Sequence, residues 1–214
     1  MTLSGLLIID KPAGPTSHDV VGRVRRVAGL RRVGHAGTLD PLASGVLLVC
    51  VGRATRLVEY LVGLDKVYET TVRLGQSTDT YDAEGEVTAE RPVTAGEADI
   101  LAALPAFRGA IRQRVPAYSA VKRDGRPLYK SARRGEHVEL PERDVVIHAL
   151  DLTAYDPPLL TLRVACSSGT YIRSLAHDLG QALGCGGHVV ALRRTAVGRF
   201  TADEAIALDD LTPE

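Results

Sequence analysis

The sequence predicts an α+β domain with a central mixed, largely antiparallel sheet flanked by helices. Strand-like apolar runs lie beside one another, and the helices between them follow no regular βαβ rhythm. Hydrophobic residues make up 45% of the 214, enough for one sizeable core. No Ser/Gly-rich linker, internal repeat or low-complexity tract divides the chain.

Each element follows from local pattern. Residues 5–10 form a short apolar strand ended by Lys11-Pro12. Thr16 and Asp19 have capping-box spacing, so a helix runs to about Ala28 and stops at Gly29. Residues 46–51 read as a buried strand, 53–61 as a helix and 67–74 as an alternating strand. Residues 75–86 form a polar loop, and 94–104 a helix with Thr94 and Glu97 at capping spacing. Strands are expected at 111–115 and 118–122, and a short basic helix at 128–134. Residues 145–155 and 160–167 look like paired strands joined at Pro157-Pro158. A helix at 170–183, a strand at 189–197 and a helical acidic tail complete the chain.

The chain carries 26 Lys/Arg and 26 Asp/Glu, which argues against simple coating of a polyanion. The charges are nevertheless segregated. Residues 11–35 hold six Lys/Arg and one acid, and residues 108–134 hold nine and one. Residues 76–99 hold seven acids and one Arg, and residues 200–214 five acids and no base. Such runs form either a basic face that steers an anionic partner or ordinary solvated helix faces. The three cysteines are far apart and outline no disulfide framework, which fits a reducing, cytoplasmic setting. No leader-like or membrane-spanning apolar stretch is evident.

Gly-x-Ser-x-Gly is absent, and two phosphate-loop near-misses each lack an essential residue. The six His are scattered, so neither a metal nor a cofactor is expected. Any chemistry must rest on ordinary side chains. The segment Gly34-His35-Ala36-Gly37-Thr38-Leu39-Asp40-Pro41-Leu42-Ala43-Ser44-Gly45 is the best candidate. Pro41 disfavours the helical region for Asp40, and the glycines allow sharp turns and close approach. On local pattern alone Asp40 is either a functional carboxylate or the acceptor of an Asx turn.

Several segments, in this order, resemble the TruB family of tRNA pseudouridine synthases. They are Asp10-Lys11-Pro12-Ala13-Gly14-Pro15-Thr16-Ser17-His18-Asp19, the loop at 34–45, Lys66-Val67-Tyr68, the stretch at 73–85, Pro116-Ala117-Tyr118-Ser119-Ala120-Val121-Lys122, Cys166-Ser167-Ser168-Gly169-Thr170-Tyr171-Ile172-Arg173 and Leu192-Arg193-Arg194-Thr195. The resemblance implies a pseudouridine-synthase-like catalytic domain over residues 1–199, with RNA-binding loops around 75–135. About fifteen residues follow Arg199, so 200–214 is expected to be a short acidic segment rather than a complete RNA-binding PUA domain. It also implies isomerisation of uridine 55 in the tRNA T arm, without cofactor, membrane or obligate protein partner. The competing readings are a non-catalytic RNA-binding or chaperone protein on the same scaffold, and a related synthase acting on another RNA.

The resemblance assigns roles residue by residue. Asp40 matches the catalytic aspartate, which attacks ribose C1′ or uracil C6 or stabilises positive charge at C1′. Arg173 matches the arginine that pairs with that carboxylate. Tyr68 matches a tyrosine that stacks on the extruded uracil and handles a proton. Tyr171 is expected as a pocket wall and Leu192 as an apolar floor. His35 matches a histidine that fills the space left by the flipped nucleotide. Lys11 either supports the active-site loop or meets a phosphate. Arg31, Arg32, Lys122, Arg123, Arg126, Lys130, Arg133 and Arg134 are expected phosphate contacts.

Overall fold

The computed structural model describes residues 3–119, 121–123, 125–128, 132, 134, 136 and 139–212. In chain order the strands and helices are β1 (Gly5–Lys11), α1 (Ser17–Ala28), β2 (Val33–Ala36), β3 (Ala43–Val51), α2 (Val58–Val62), β4 (Lys66–Leu74), β5 (Gln76–Thr78), β6 (Val87–Glu90) and α3 (Glu97–Ala103). There follow β7 (Gly109–Arg114), β8 (Lys122–Arg123), β9 (Arg126–Pro127), β10 (Glu142–Asp156), β11 (Leu159–Cys166), α4 (Ile172–Ala182), β12 (Gly187–Val197), β13 (Phe200–Thr201) and β14 (Ile206–Ala207). The chain divides into two units: Met1–Glu69 with Ala191–Glu214, and Thr70–Val190. The fold is α+β with a mixed sheet, as its strand pattern predicts.

The first unit is organised around β3. One edge of β3 pairs antiparallel with β1, from Gly5↔Val51 to Lys11↔Gly45. The other edge is divided. Residues 48–51 pair antiparallel with β2, and Ala43, Ser44 and Gly45 pair parallel with Leu192, Arg193 and Arg194 of β12. Flanked on both edges, β3 buries all of Val46–Val51, which explains its uninterrupted apolar run. Ala36, Val46, Leu48 and Val197 form a buried cluster, with Leu6, Ile8, Val58 and Leu61 packed against it. Helix α1 turns Val20, Val21 and Val24 inward. Its capping box forms as expected: Asp19 N–H donates to Thr16 Oγ1 at 3.1 Å, and Thr16 N–H donates to Asp19 Oδ2 at 2.8 Å. Gly29 ends the helix in the left-handed region, at φ 62°.

In the second unit β10 is central. It pairs antiparallel with β11 and with β7. Strand β11 alternates in burial, with Leu160, Leu162, Val164 and Cys166 inward. Ile100, Leu104, Val145, Ile147, Leu150, Leu175 and Leu179 add to its buried apolar set.

Several local expectations are corrected. The helix expected at 94–104 begins at Glu97, because Asp99 accepts the Gly96 N–H at 2.8 Å and makes Gly96 the N-cap. The helix expected at 53–61 is a 3-10 turn, Gly52–Leu57, running into the short α2. In the strand expected at 118–122, Tyr118 and Ser119 are bends, and among the described residues of that stretch Lys122 alone pairs, within β8 against β9. The turn is closed by a bond from Leu128 N–H to Val121 O at 2.8 Å. The polar loop at 75–86 begins as strand β5, paired to β6. The acidic tail is not one helix. A Thr201–Glu204 capping box closes a single turn, Ala205 is extended, and β14 then adds to β1 in parallel. The basic helix expected at 128–134 lies largely outside the described residues. No helix among the described residues is long and apolar enough to cross a membrane.

One glycine in β3 carries a strict demand. Gly45 has φ +101°, and a Cβ added there would run into the backbone carbonyl of Arg194 on β12. Both strands are backbone-paired at that point, so neither can withdraw cheaply. We expect Gly45→Ala to destabilise the protein by about 2–4 kcal/mol, read as a lowered urea midpoint at unchanged m-value.

Candidate active site

Asp40 lies on the loop between β2 and β3, half-buried, and the backbone around it is held at almost every carbonyl. Ser17, buried at the start of α1, donates its hydroxyl to Leu39 O at 3.1 Å and accepts the Leu39 N–H at 2.9 Å. Lys11 ends β1 with 0% exposure. Its ammonium donates to Pro12 O at 2.9 Å, Pro15 O at 2.7 Å and Pro41 O at 3.4 Å. The Gly14 N–H also reaches Pro41 O, at 2.8 Å. Ala43 N–H closes a turn on Asp40 O at 3.1 Å. Arg194, 1% exposed on β12, spreads its guanidinium over three further carbonyls. Nη2 donates to Gly37 O at 3.1 Å, Nη1 to Thr38 O at 3.4 Å and Nε to Val46 O at 2.8 Å.

The loop thus presents one carboxylate from a backbone fixed on both sides. Bonds from charged donors contribute about 1.5–3 kcal/mol each, so this segment is rigid without regular secondary structure. Lys11 is enclosed and donates to three carbonyls of the turns beside the loop. Leu192 is buried opposite Ala43, at the end of the same loop. Tyr68, also buried, lies on β4. Lys66, at the start of that strand, donates to the carbonyls of Val62 and Leu64. His35 on β2 meets His18 edge to face, with ring centroids 5.6 Å apart. Its Nδ1 is buried without a hydrogen-bond partner among the described residues. Burial first, then the charges of His18 and Arg194, push its pKa below the usual 6.5.

In the second unit Arg173 and Tyr171 stand together at the start of α4. Tyr171 is the N-cap, its backbone bracketed by the buried Gln113. Gln113 Oε1 accepts the Tyr171 N–H at 3.0 Å, and Gln113 Nε2 donates to Tyr171 O at 3.2 Å. Arg173 makes a buried ion pair, its Nη1 3.1 Å from Asp82 Oδ2. The same Nη1 donates to Thr80 O at 3.1 Å, and Nη2 to Tyr118 O at 3.0 Å. Asp82 is itself fixed, because Oδ1 accepts from Thr80 Oγ1 at 2.5 Å and from Glu84 N–H at 3.1 Å. The next turn of α4 places His177 flat against Tyr81, with centroids 3.9 Å apart. Tyr81 has φ 63°, unusual for a residue with a side chain. Burial, and secondarily Arg114, lower the pKa of His177.

The expected phosphate contacts are more scattered. Arg31 and Arg32 are exposed between α1 and β2, and Arg32 Nε donates to Thr55 Oγ1 at 2.8 Å. Lys122, Arg123 and Arg126 belong to the β8–β9 hairpin. Arg134 is paired to Glu136 at 3.5 Å. Lys130 and Arg133 lie outside the described residues. Ser17, Asp82, Gln113 and Arg194 received no role from the sequence. Three of the four lie inside the motifs that carried the resemblance, so motif membership was the available signal. Gln113 sits in an ordinary strand and gave none.

Comparison with known proteins bears on this arrangement. A family model described as TruB family pseudouridylate synthase (N terminal domain) matches residues 25–172. A second, tRNA pseudouridylate synthase B C-terminal domain, matches residues 173–214. The tRNA pseudouridine synthase B of Thermobifida fusca is 56% identical over 219 residues, covering 98% of this chain and 75% of that protein. The protein of the same name from Pseudomonas paraeruginosa is 53% identical over 210 residues, covering 98% and 69%. Among solved structures, Cbf5 in a Cbf5-Nop10-Gar1 complex superposes with a TM-score of 0.76 at 35% identity, covering 98% of this chain and 54% of that one. An H/ACA RNP bound to a substrate RNA containing 2′-deoxyuridine gives 0.73 at 33%, covering 97% and 52%. The chain therefore spans about half the length of these solved chains. The fold is that of a pseudouridylate synthase. Within that class, the chain belongs to the TruB family.

His35 and His177, each half-buried, set a pH dependence of stability. Both have folded pKa values below 6.5, so the unfolded chain binds more protons just below that pH. Their contribution is complete above about pH 6.5 and is lost as pH falls. Asp178, whose carboxyl is raised by burial, acts with the opposite sign from 3.8 upward. We expect the thermal midpoint to fall between pH 7.5 and 5.5, and the double variant His35→Gln, His177→Gln to flatten that slope, as followed by circular dichroism.

Proposed function

We propose that this protein converts uridine 55 in the T arm of tRNA to pseudouridine, and that Asp40 is its catalytic carboxylate. Relatives named tRNA pseudouridine synthase B, alike over nearly the whole chain, support the reaction and the substrate. The observation that carries the assignment of Asp40 is its place at the centre of a loop braced through the carbonyls on both sides. An Asx-turn residue needs no such bracing, whereas a group that must meet one atom of a substrate does.

The reaction breaks the C1′–N1 bond and makes a C1′–C5 bond. The proton leaves C5 and N1 gains one, so no atom is added and no redox equivalent is consumed. An ionised Asp40 serves by attack at C1′, by attack at C6, or by stabilising positive charge at C1′ as the base departs. Tyr68 stacks on the detached base and carries a hydroxyl for proton handling. Arg173 supplies a cation whose orientation is fixed by Asp82 and by two carbonyls. The family resemblance gives Tyr171 the role of a wall and Leu192 that of an apolar floor.

Extruding a nucleotide from a folded T arm costs a few kcal/mol. His35, kept neutral by burial, offsets part of that cost by filling the gap. Arg31, Arg32 and the basic residues of the β8–β9 hairpin contact the phosphates, with the salt dependence such contacts bring. The reading places the enzyme in the cytoplasm with tRNA as its partner.

Asp40→Asn keeps the shape of the side chain and removes its charge. We expect turnover to fall by about 10³-fold or more, with stem-loop affinity within a few-fold of the parent. Release of tritium from C5-labelled uridine measures the first and filter binding the second; substantial turnover by the variant rejects the assignment. Tyr68→Phe should lower turnover about 10²-fold with little change in thermal midpoint. Equal kinetics for parent and variant would reduce Tyr68 to a packing residue.

A further inference from the structure

We propose that Arg194 is a positioning residue for the reaction, setting where the Asp40 carboxylate stands by fixing the carbonyls of Gly37, Thr38 and Val46. The inference rests on the catalytic reading of Asp40. Its basis is a side chain that the sequence would place on the surface and the fold encloses.

Three features separate this from ordinary packing. First, the guanidinium is 1% exposed and its hydrogen bonds go to main-chain carbonyls, two of them before Asp40 and one after it. Those two stretches are joined through the Asp40 turn, so one planar group controls the spacing between the loop's entry and its exit. Second, the backbone of Arg194 is locked in turn. It pairs with Gly45, and the space beside that glycine is too small for a methyl group. The clamp therefore has a fixed base. Third, the loop is held from the other side by different groups, Ser17 on Leu39 and Lys11 with Gly14 on Pro41. With Arg194 removed, the Leu39–Pro41 segment keeps its local bonds while its entry and exit lose their common reference. The expected result is a folded protein with a displaced carboxylate.

Lysine cannot replace this group. Its ammonium donates from a single point, as that of Lys11 does, whereas Arg194 reaches its three carbonyls from three separate nitrogens of one planar fork. A misplacement of about 1 Å at a reacting group lowers a rate by about 10²-fold. Arg194 faces backbone rather than solvent, so it contributes little to RNA affinity.

The test compares Arg194→Lys and Arg194→Gln with the parent and with Asp40→Asn, using the C5-tritium assay and single-turnover kinetics. We expect kcat to fall by about 10²-fold in Arg194→Gln and less in Arg194→Lys, with KM and stem-loop affinity within about threefold. Amide hydrogen exchange supplies a second readout. Exchange at the Ala43 amide, which closes the turn on Asp40 O, should accelerate in both variants, while Leu39, held by Ser17, and the other paired amides of β1 and β3 keep their protection. A folded Arg194→Lys with parental kcat, or losses in KM alone, would overturn the proposal. Should neither variant fold, the parent still decides. Its Ala43 amide, which closes the turn on Asp40 between the two clamped stretches, must then exchange no faster than the other amides of β3, and fast local exchange there contradicts a clamped loop. If the parent itself fails to isomerise a T-arm uridine, the catalytic reading falls, while the exchange data still report on the clamp.

Discussion

The interaction on which the rest of the first unit depends is the capture of backbone carbonyls by buried cations. Enclosing an ammonium or guanidinium costs several kcal/mol unless its donors are satisfied. Here the partners on show are main-chain oxygens, those other than Val46 belonging to loop residues with no ladder to join. Lys11 satisfies carbonyls of the two proline-bearing turns, and Arg194 those at the mouth of the Asp40 loop. The exchange is mutual, because the cation is solvated by the loop and the loop is given a shape by the cation. A loop built this way can be both irregular and rigid, which a candidate catalytic carboxylate requires.

The same device recurs. Lys66 holds carbonyls of the turn that leads into β4, two residues before Tyr68. Arg173 holds the carbonyls of Thr80 and Tyr118 in addition to the Asp82 carboxylate. In this last case a carboxylate joins the carbonyls, and the pair is fixed more firmly than either group alone, since removing one would strand the other as an uncompensated buried charge. The structure thus spends four long cationic side chains on internal architecture, although their composition suggests a surface that binds RNA. Net charge was a poor guide for this reason. It counts cations without telling those that face a phosphate from those that face a peptide bond.

The limits of sequence reading follow from the same physics. What depends on near neighbours was legible. The Thr16–Asp19 box, the Gly29 stop, the apolar run of β3, the alternation of β4 and the pairing of β10 with β11 are set within a short stretch of chain, and all form. The acidic tail failed because an edge of β1 was open to it, and a two-residue pairing with Ile9 and Asp10 outweighs a weak helical preference. The 118–122 strand failed because Gly125 supplies a turn that pairs Lys122–Arg123 locally with Arg126–Pro127. Asp40 and Arg173 were marked by motif alone. The partners that hold them were not, because Arg194 lies 157 and 156 positions from its loop carbonyls, and Asp82 lies 91 from Arg173. No window along the chain contains both ends of such a contact.

Strand β12 shows how one short segment can serve both chemistry and support. Successive residues of a strand point to opposite faces. Leu192 and Arg194 therefore share a face, and Arg193 takes the other. On that other face Arg193 grips Asp10 of β1 with two bonds, at 3.0 and 2.8 Å, tying β12 to the strand that ends in Lys11. On the shared face Leu192 stands beside the start of β3, where the proposal puts the floor beneath the base, and Arg194 reaches back to the loop. The spacing between floor and loop is thus the repeat of a single strand. The parallel register to Ala43, Ser44 and Gly45 fixes that spacing, and at Gly45 the two backbones come too close for a side chain. A shift of one residue in this register would exchange the faces, sending the clamp outward and Arg193 toward the loop. The requirement for glycine at 45, the burial of Arg194 and the placement of Asp40 are consequences of one pairing.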